Sequence, residues 1–237
     1  MIIAKNYLLN FFFCLLKKNR FLPKFNEINS LMMQLPARTV QRLSKYRRLL
    51  LKFQDLKEPH IFSHDLARLL QLNPVQVRRD LMLIGVSGNH RKGYNVKEII
   101  ELIGNRIDNI QGQNVALIGV GNLGKVVVRY LKTSDTKMNI IAAFDIDNKK
   151  INKCISGINC HNVCDMRELI KKYSISIAVI TVPPDYVENI VQILIDAGIK
   201  GILNFTSTHI DTPPDIYLIE YDMITSLEEI AYFVNRD

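Results

Sequence analysis

Two rhythms of apolar residues run along this chain. Between residue 36 and about residue 110 they recur every three or four positions; beyond that, short apolar runs alternate with amphipathic stretches. In the first part Pro36 suits a first-turn position. Val40, Leu43, Tyr46, Leu49, Leu50 and Phe53 then form the apolar face of a helix that Pro59 ends. Ser63 reads as the N-cap of a short helix over 66–70, followed by a tight turn at 71–73. Asn73 caps a third helix, with Pro74 at its first position, that runs to Leu83. Gly85 and Gly88 break it, and residues 93–96 resume extended chain. A fourth helix over 96–103 takes Gly104 as its C-cap.

The second part predicts strands over 115–118, 140–144, 175–180, 202–205 and 216–220, with helices over 125–131, 166–172 and 185–197. Residues 151–165 read as loop and short strand, and Gly198 as the residue just past a helix end. Residues 224–234 form an amphipathic helix, with Leu227, Ile230, Ala231 and Val234 on one face, that packs on its own domain or reaches a partner subunit. Alternation of this length predicts a Rossmann-like, doubly wound parallel sheet. The expected fold class is thus α/β with an N-terminal all-α, winged-helix domain. Expected boundaries are an extension over 1–32, the helical domain over 33–111, the sheet domain over 112–221 and the terminal helix over 222–237.

Between the first two strands stand Gly119, Val120, Gly121, Asn122, Leu123 and Gly124, and Asp145 closes the second strand. A glycine at the first position allows the tight turn, one at the second lets backbone N–H groups approach a pyrophosphate, and one at the third lets the helix pack close to the sheet. The helix N-terminus adds its partial positive charge. Asp145 lies at the ~20-residue offset where a carboxylate accepts from an adenosine ribose, which favours NAD(H) over a 2′-phosphate. A lone glycine motif also marks ordinary turns; here it follows a strand, opens a helix and is answered by an acid. In a doubly wound sheet the strand ends bring Thr181, Val182, Pro183, Asn204 and Phe205 to the same crevice, although prolines after a strand also serve as plain turn-formers.

Charge changes the picture of the front domain. The chain carries a net +8, but residues 33–97 hold 13 Lys and Arg against four Asp and Glu, while residues 98–237 hold 13 against 18. A basic block beside an acidic one points to a polyanionic partner for the former. Helix, short helix, tight turn, helix and glycine-bounded hairpin outline a winged helix-turn-helix, whose third helix enters the major groove of double-stranded DNA. Val77 and Leu81 face its core, and Gln76, Arg78 and Arg79 face outward, where Arg meets guanine or phosphate and Gln meets adenine. His90, Arg91 and Lys92 occupy the wing tip. The bland reading is a solvated basic face.

Cys154, Cys160 and Cys164 cluster with His161, but the gaps are irregular and no second pair faces them. The expectation is therefore thiols in a reducing cytoplasm, with no metal site. The apolar run at 7–16 is shorter than the ~20 residues of a membrane helix and lacks a small-residue cleavage site. The expectation is that translation starts at Met32 or Met33; the alternative is a genuine helical or disordered tail.

From about Leu35 onward the chain resembles the Rex family of redox-sensing transcriptional repressors. The resemblance is carried by residues 76–81 (QVRRDL), 93–96 (GYNV), 119–124 (GVGNLG), 144–147 (FDID), 181–183 (TVP) and 197–205 (AGIKGILNF), in that order and spacing. It implies a homodimer that binds a palindromic operator when NADH is low and releases it when NADH binds and closes the dimer. It implies exchange of the C-terminal helix between subunits. It also implies a ligand-dependent switch in which Asp222 pairs with Arg48 in one state and accepts from the Tyr130 hydroxyl in the other. At the wing this sequence departs from the family pattern: His90 stands where an Arg is expected, Arg91 where a glycine is, and Ile84 and Ser87 replace aromatics.

Two other readings compete. An NAD-dependent dehydrogenase needs a general acid/base near the nicotinamide; His60, His64 and His90 lie in the front domain, and His161 and His209 show no partner acid in sequence. A regulator binding CoA or another nucleotide is the third, since the sheet domain resembles CoA-binding modules too.

Overall fold

The computed structural model of the protein describes residues 35–55, 59–89, 91–108, 112–134 and 136–234. The expectations for residues 1–32, including the start at Met32 or Met33, lie outside them, as does His90. The chain divides after Asp108 into two compact units.

In the first unit α1 (Ala37–Leu50) continues into a 3-10 turn, and α2 (Ser63–Leu70), α3 (Pro74–Leu83) and α4 (Val96–Ile107) complete the helices. β1 (His60–Ile61) pairs antiparallel with β2 (Tyr94–Asn95). Leu43, Tyr46, Leu66, Leu81, Ile99 and Ile103 are fully buried in one core. Each such side chain contributes about 1.5–3 kcal/mol by leaving water, which suffices to hold helices too short to stand alone. The Asn73 side chain accepts from the Val75 N–H at 2.8 Å, and Pro74 follows at the first helical position.

Three helix ends differ from expectation. Pro36 stands just before α1 as its N-cap, and Thr39 rather than Val40 takes the buried position. Ser63 is inside α2, with Phe62 at the cap position and no side-chain cap. The buried Ser63 hydroxyl instead accepts from Arg78 at 3.4 Å. Finally, α4 runs through Gly104 to Ile107, and the Gly104 carbonyl accepts the Asp108 N–H at 2.9 Å. The Asp108 carboxylate receives Arg47 at 2.7 Å on both oxygens, which anchors the extra turn and removes the need for a left-handed glycine.

The second unit is one seven-stranded sheet: β3 (Gln113–Ile118), β4 (Met138–Asp145), β5 (Cys154–Ile155), β6 (Ile158–Asn162), β7 (Ile177–Ile180), β8 (Gly201–Asn204) and β9 (Tyr217–Glu220). Its spatial order is β5-β6-β4-β3-β7-β8-β9, parallel except for β5. Counting only the parallel strands, this is the 3-2-1-4-5-6 order of dinucleotide-binding sheets, whose direction of winding reverses between β3 and β7. Ile118, Phe144, Ala178 and Ile180 are fully buried between the sheet and its helices. Those helices are α5 (Asn122–Thr133), α6 (Met166–Lys172) and α7 (Val187–Ala197), and Gly198 ends α7 at φ +87° as expected. The loop and short strand expected over 151–165 prove to hold two strands at one edge of the sheet, β6 pairing with β4 from Ala143↔Cys160 to Asp145↔Asn162. α8 (Met223–Val234) closes the chain with every residue exposed.

Candidate functional site

The reversal between β3 and β7 puts two loops side by side. Gly119 leaves β3 at φ +91°, and a Cβ there would lie 2.8 Å from Val182 Cγ1 and 2.9 Å from the Thr181 carbonyl. Thr181 returns the contact, its hydroxyl donating to the Gly119 carbonyl at 2.7 Å. A Cβ on Gly124 would come within 2.3 Å of the Gly119 carbonyl. The fold itself therefore requires both glycines. Gly121 differs: its φ is −79°, open to any residue, and a Cβ would meet nothing within 4 Å. Its bareness leaves the space beside the turn open. Asn122 opens α5, whose first-turn N–H groups have no partner within the helix, and Leu123 beside it is exposed.

Asp145, at the end of the strand beside β3, is 7% exposed. Its Oδ2 accepts the Val120 N–H at 2.8 Å and the Lys150 ammonium at 2.9 Å, and its Oδ1 accepts the Asp147 N–H at 3.0 Å. Burial alone would push the carboxyl up; the Asp147 N–H, Lys150 and the Val120 N–H outweigh it and hold the group below its usual range. The acid thus braces the glycine turn. Neither Val120 nor Lys150 was legible in this role, because their contacts form only once the turn has folded back on β4.

Val182 is half-buried and Pro183 exposed in the loop that follows β7. Asn204 sits deeper. Its fully buried amide accepts from the Thr206 N–H and hydroxyl and donates to the Thr208 carbonyl at 2.8 Å, so it shapes the loop from beneath. Phe205 is half-buried, edge-on to Tyr221 at 5.5 Å between centroids.

In the first unit α2, the turn at Gln71 (φ 54°) and α3 form the helix-turn-helix. Val77 and Leu81 are fully buried, while Arg78 and Arg79 are exposed. Gln76 is half-buried and spends one amide N–H on Asp80 Oδ1 at 2.9 Å. The wing closes through an Asn89↔Gly93 bridge, and the Asn89 side chain accepts the N–H groups of Arg91 and Lys92, whose side chains are exposed. Arg42 and Arg47 lie on the polar side of α1 between its apolar positions. Both are committed, Arg42 to Asp80 and Arg47 to Asp108, so the exposed cations of α1 are Arg38, Lys45 and Arg48.

Of the expected switch residues, Arg48 is exposed on α1 and Tyr130 is 61% exposed on α5. Asp222 precedes α8 and caps it, accepting from the Thr225 hydroxyl at 2.7 Å and the Ile224 N–H at 2.9 Å; the two bonds hold its carboxyl below the usual range. His209, expected to lack a partner acid, has two: Nδ1 meets Glu220 at 3.1 Å and Nε2 lies 3.6 Å from Asp211. Asp211 stands only two residues further along the chain, while Glu220 reaches the ring from the end of β9, eleven residues on. Among the described residues no set of His, Cys, Asp and Glu gathers as a metal site, and Cys160 is buried between exposed Cys154 and Cys164. No described helix is long and apolar enough to cross a membrane.

Comparison with known proteins bears on both units. Residues 34–81 match the family "Putative DNA-binding protein N-terminus", and residues 110–208 match "CoA binding domain". The redox-sensing transcriptional repressor Rex of Listeria welshimeri is 32% identical over 203 residues, covering 86% of this chain and 94% of that protein. Rex 1 of Enterococcus faecalis is 30% identical over the same shares. Among solved structures, RSP, a Rex-family repressor, in complex with β-NAD+ and operator DNA matches at 27% identity and a TM-score of 0.77, over 86% of this chain and 94% of that one. RSP in complex with β-NADH matches at 26% identity and 0.74, over 86% and 95%.

Proposed function

The chain belongs to the Rex family of redox-sensing transcriptional repressors, and on that premise we propose that it represses transcription from operator DNA when the NADH/NAD+ ratio is low and leaves the DNA when NADH rises. It is a regulator and not an enzyme; its relatives are named as repressors. The observation that carries the ligand half is Gly121, whose missing side chain answers no demand of backbone or packing and suits the close approach of a pyrophosphate. Val120, Asn122 and Leu123 would line the diphosphate, Asp145 the adenosine ribose, and Thr181, Val182 and Pro183 the far wall, with Asn204 and Phe205 behind them. The bound dinucleotide supplies the redox signal; the residues of this chain bind it and pass on its presence.

Arg78, Arg79, Arg91 and Lys92, with Gln76 and His90, make the DNA-facing set. Gln76 is half-buried with one amide N–H on Asp80, whereas both arginines are exposed, so we assign base reading first to the two arginines. The working form is a cytoplasmic homodimer. Supporting this, α8 exposes Ile224, Leu227 and Ile230 by 59–61%, and α5 exposes Val126 and Tyr130 by 56% and 61%. Apolar area of this extent calls for a partner surface. Arg48, Tyr130 and Asp222 then act as the switch, Asp222 exchanging partners between states. A ligand shifts the DNA-bound population only through different affinities for the two states.

The test is a gel-shift on the DNA upstream of the protein's own gene, with NADH, NAD+ and CoA as separate arms. Release by NADH at lower concentration than by NAD+ is the expected result. Equal effects of the two would remove the redox-sensing claim, and release by CoA alone would favour the CoA reading, which the match over residues 110–208 keeps in play.

A further inference from the structure

Asp145 has little left to offer a ribose. Of its carboxylate oxygens, Oδ2 already accepts from the Val120 N–H and the Lys150 ammonium, and Oδ1 from the Asp147 N–H. An oxygen with two lone pairs accepts two good bonds, so a single acceptor position remains on Oδ1. Lys150 is in the opposite condition. An ammonium carries three donors; one goes to Asp145, the Asp147 carboxylate is no closer than 3.9 Å, and the side chain is still 30% exposed. One carboxylate oxygen is all that separates this ammonium from the backbone of the glycine turn. It therefore stands at the strand end where the adenosine half of a dinucleotide lies.

Resting on the reading of the crevice as an NAD(H) site, we propose that Lys150 is a ligand-binding residue: it donates a hydrogen bond to the adenosine ribose, and the sugar meets an ammonium–carboxylate pair and not a bare acid. The pair is matched to a diol. The 2′-hydroxyl is at once a donor and an acceptor, so it gives its proton to the free position on Asp145 Oδ1 and accepts from Lys150. The ammonium also fixes Asp145 in the rotamer that holds Val120, so the residue that binds the sugar steadies the turn that binds the phosphates. Sequence position alone did not select Lys150, because Lys149 and Lys153 flank it with the same charge. Only the fold distinguishes the three.

The experiment is direct titration of the full chain with NADH and with its 2′-deoxyadenosine analogue, for the natural protein and for Lys150→Met and Lys150→Arg. The natural protein should lose roughly tenfold in affinity when the 2′-hydroxyl is removed, as for a hydrogen bond to a charged group. Lys150→Met should bind NADH roughly tenfold more weakly and discriminate less between the two ligands, with Lys150→Arg in between. An unchanged NADH affinity in Lys150→Met overturns the proposal. So does an equal loss on removal of the hydroxyl in both proteins, because a merely structural lysine would weaken both ligands alike. If the natural protein binds no NADH, the reading of the crevice falls, and this inference with it. The first two outcomes leave that reading standing.

Discussion

Arg42 grips Asp80 with two parallel bonds, Nε to Oδ2 at 2.6 Å and Nη2 to Oδ1 at 2.9 Å, and so ties the first helix of the front unit to the helix proposed to enter DNA. The carboxylate has no exposed surface; Tyr46 at 2.7 Å and Gln76 at 2.9 Å complete its shell. Such a pair is weak evidence of net stability, yet breaking one side of it costs about 3–5 kcal/mol because a charge is left buried without its partner. Arg42→Met should therefore unfold the front unit at much lower urea concentration. Circular dichroism should show that transition moving while the sheet unit keeps its own.

The same pair sets a response to acid. Burial would raise the Asp80 carboxyl, but Arg42, Tyr46 and Gln76 together bring it below the usual carboxylate range. A group whose pKa is depressed on folding contributes stability that is complete above the unfolded value and lost as pH falls through the folded one. Urea midpoints of the front unit should thus hold near neutrality and fall below the ordinary carboxylate range, and Asp80→Asn should flatten that fall.

The glycine turn separates structural from ligand-directed residues. Gly124→Ala places a Cβ 2.3 Å from a backbone oxygen that cannot step aside, so it should cost about 1–3 kcal/mol of stability and NADH binding with it. Gly121→Ala meets nothing within 4 Å. It should leave the melting temperature within a degree or two of the natural protein, since surface changes stay within about 0.5 kcal/mol, and still weaken NADH. Equal melting losses in the two variants would refute the distinction.

Replacing Arg78 and Arg79 with Ala should abolish specific operator binding without altering NADH affinity. Replacing Lys92 alone should weaken binding evenly across DNA sequences and reduce the salt slope by about one unit. Gel-shifts at several salt concentrations, beside a fluorescence titration of NADH, measure both.

The partnership proposed for α8 is open to sedimentation. Leu227→Asp with Ile230→Asp places charge on a face that is now apolar and exposed, and should convert a dimer to monomers at micromolar concentration. A natural protein that sediments as a monomer would end the dimer proposal.

Much of this was written in the order of residues. The Asn73 cap, the Pro74 start, the buried Val77 and Leu81 and the glycine turn are local, and each follows from the conformational needs of a few neighbours. What escaped were the long-range partnerships. Asp80 reads as one more acid on a helix, and nothing adjacent tells that Arg42 and Tyr46, more than thirty residues earlier, will enclose it. A short strand was legible within 151–165, but not that there are two, because the cysteines and asparagines look like loop until β4 offers an open edge. Gly104 misled because glycine inside a helix and glycine ending one are spelled alike, and only the Arg47–Asp108 contact decides between them.

A helix that hides nothing within its own chain makes folding a matter of mass action. If α8 finds its cover in a second copy, the free energy of the native state includes a term set by how many copies are present. Dilution alone would then lower the melting temperature, and scarcity of the repressor would loosen its own architecture before it emptied a single binding site.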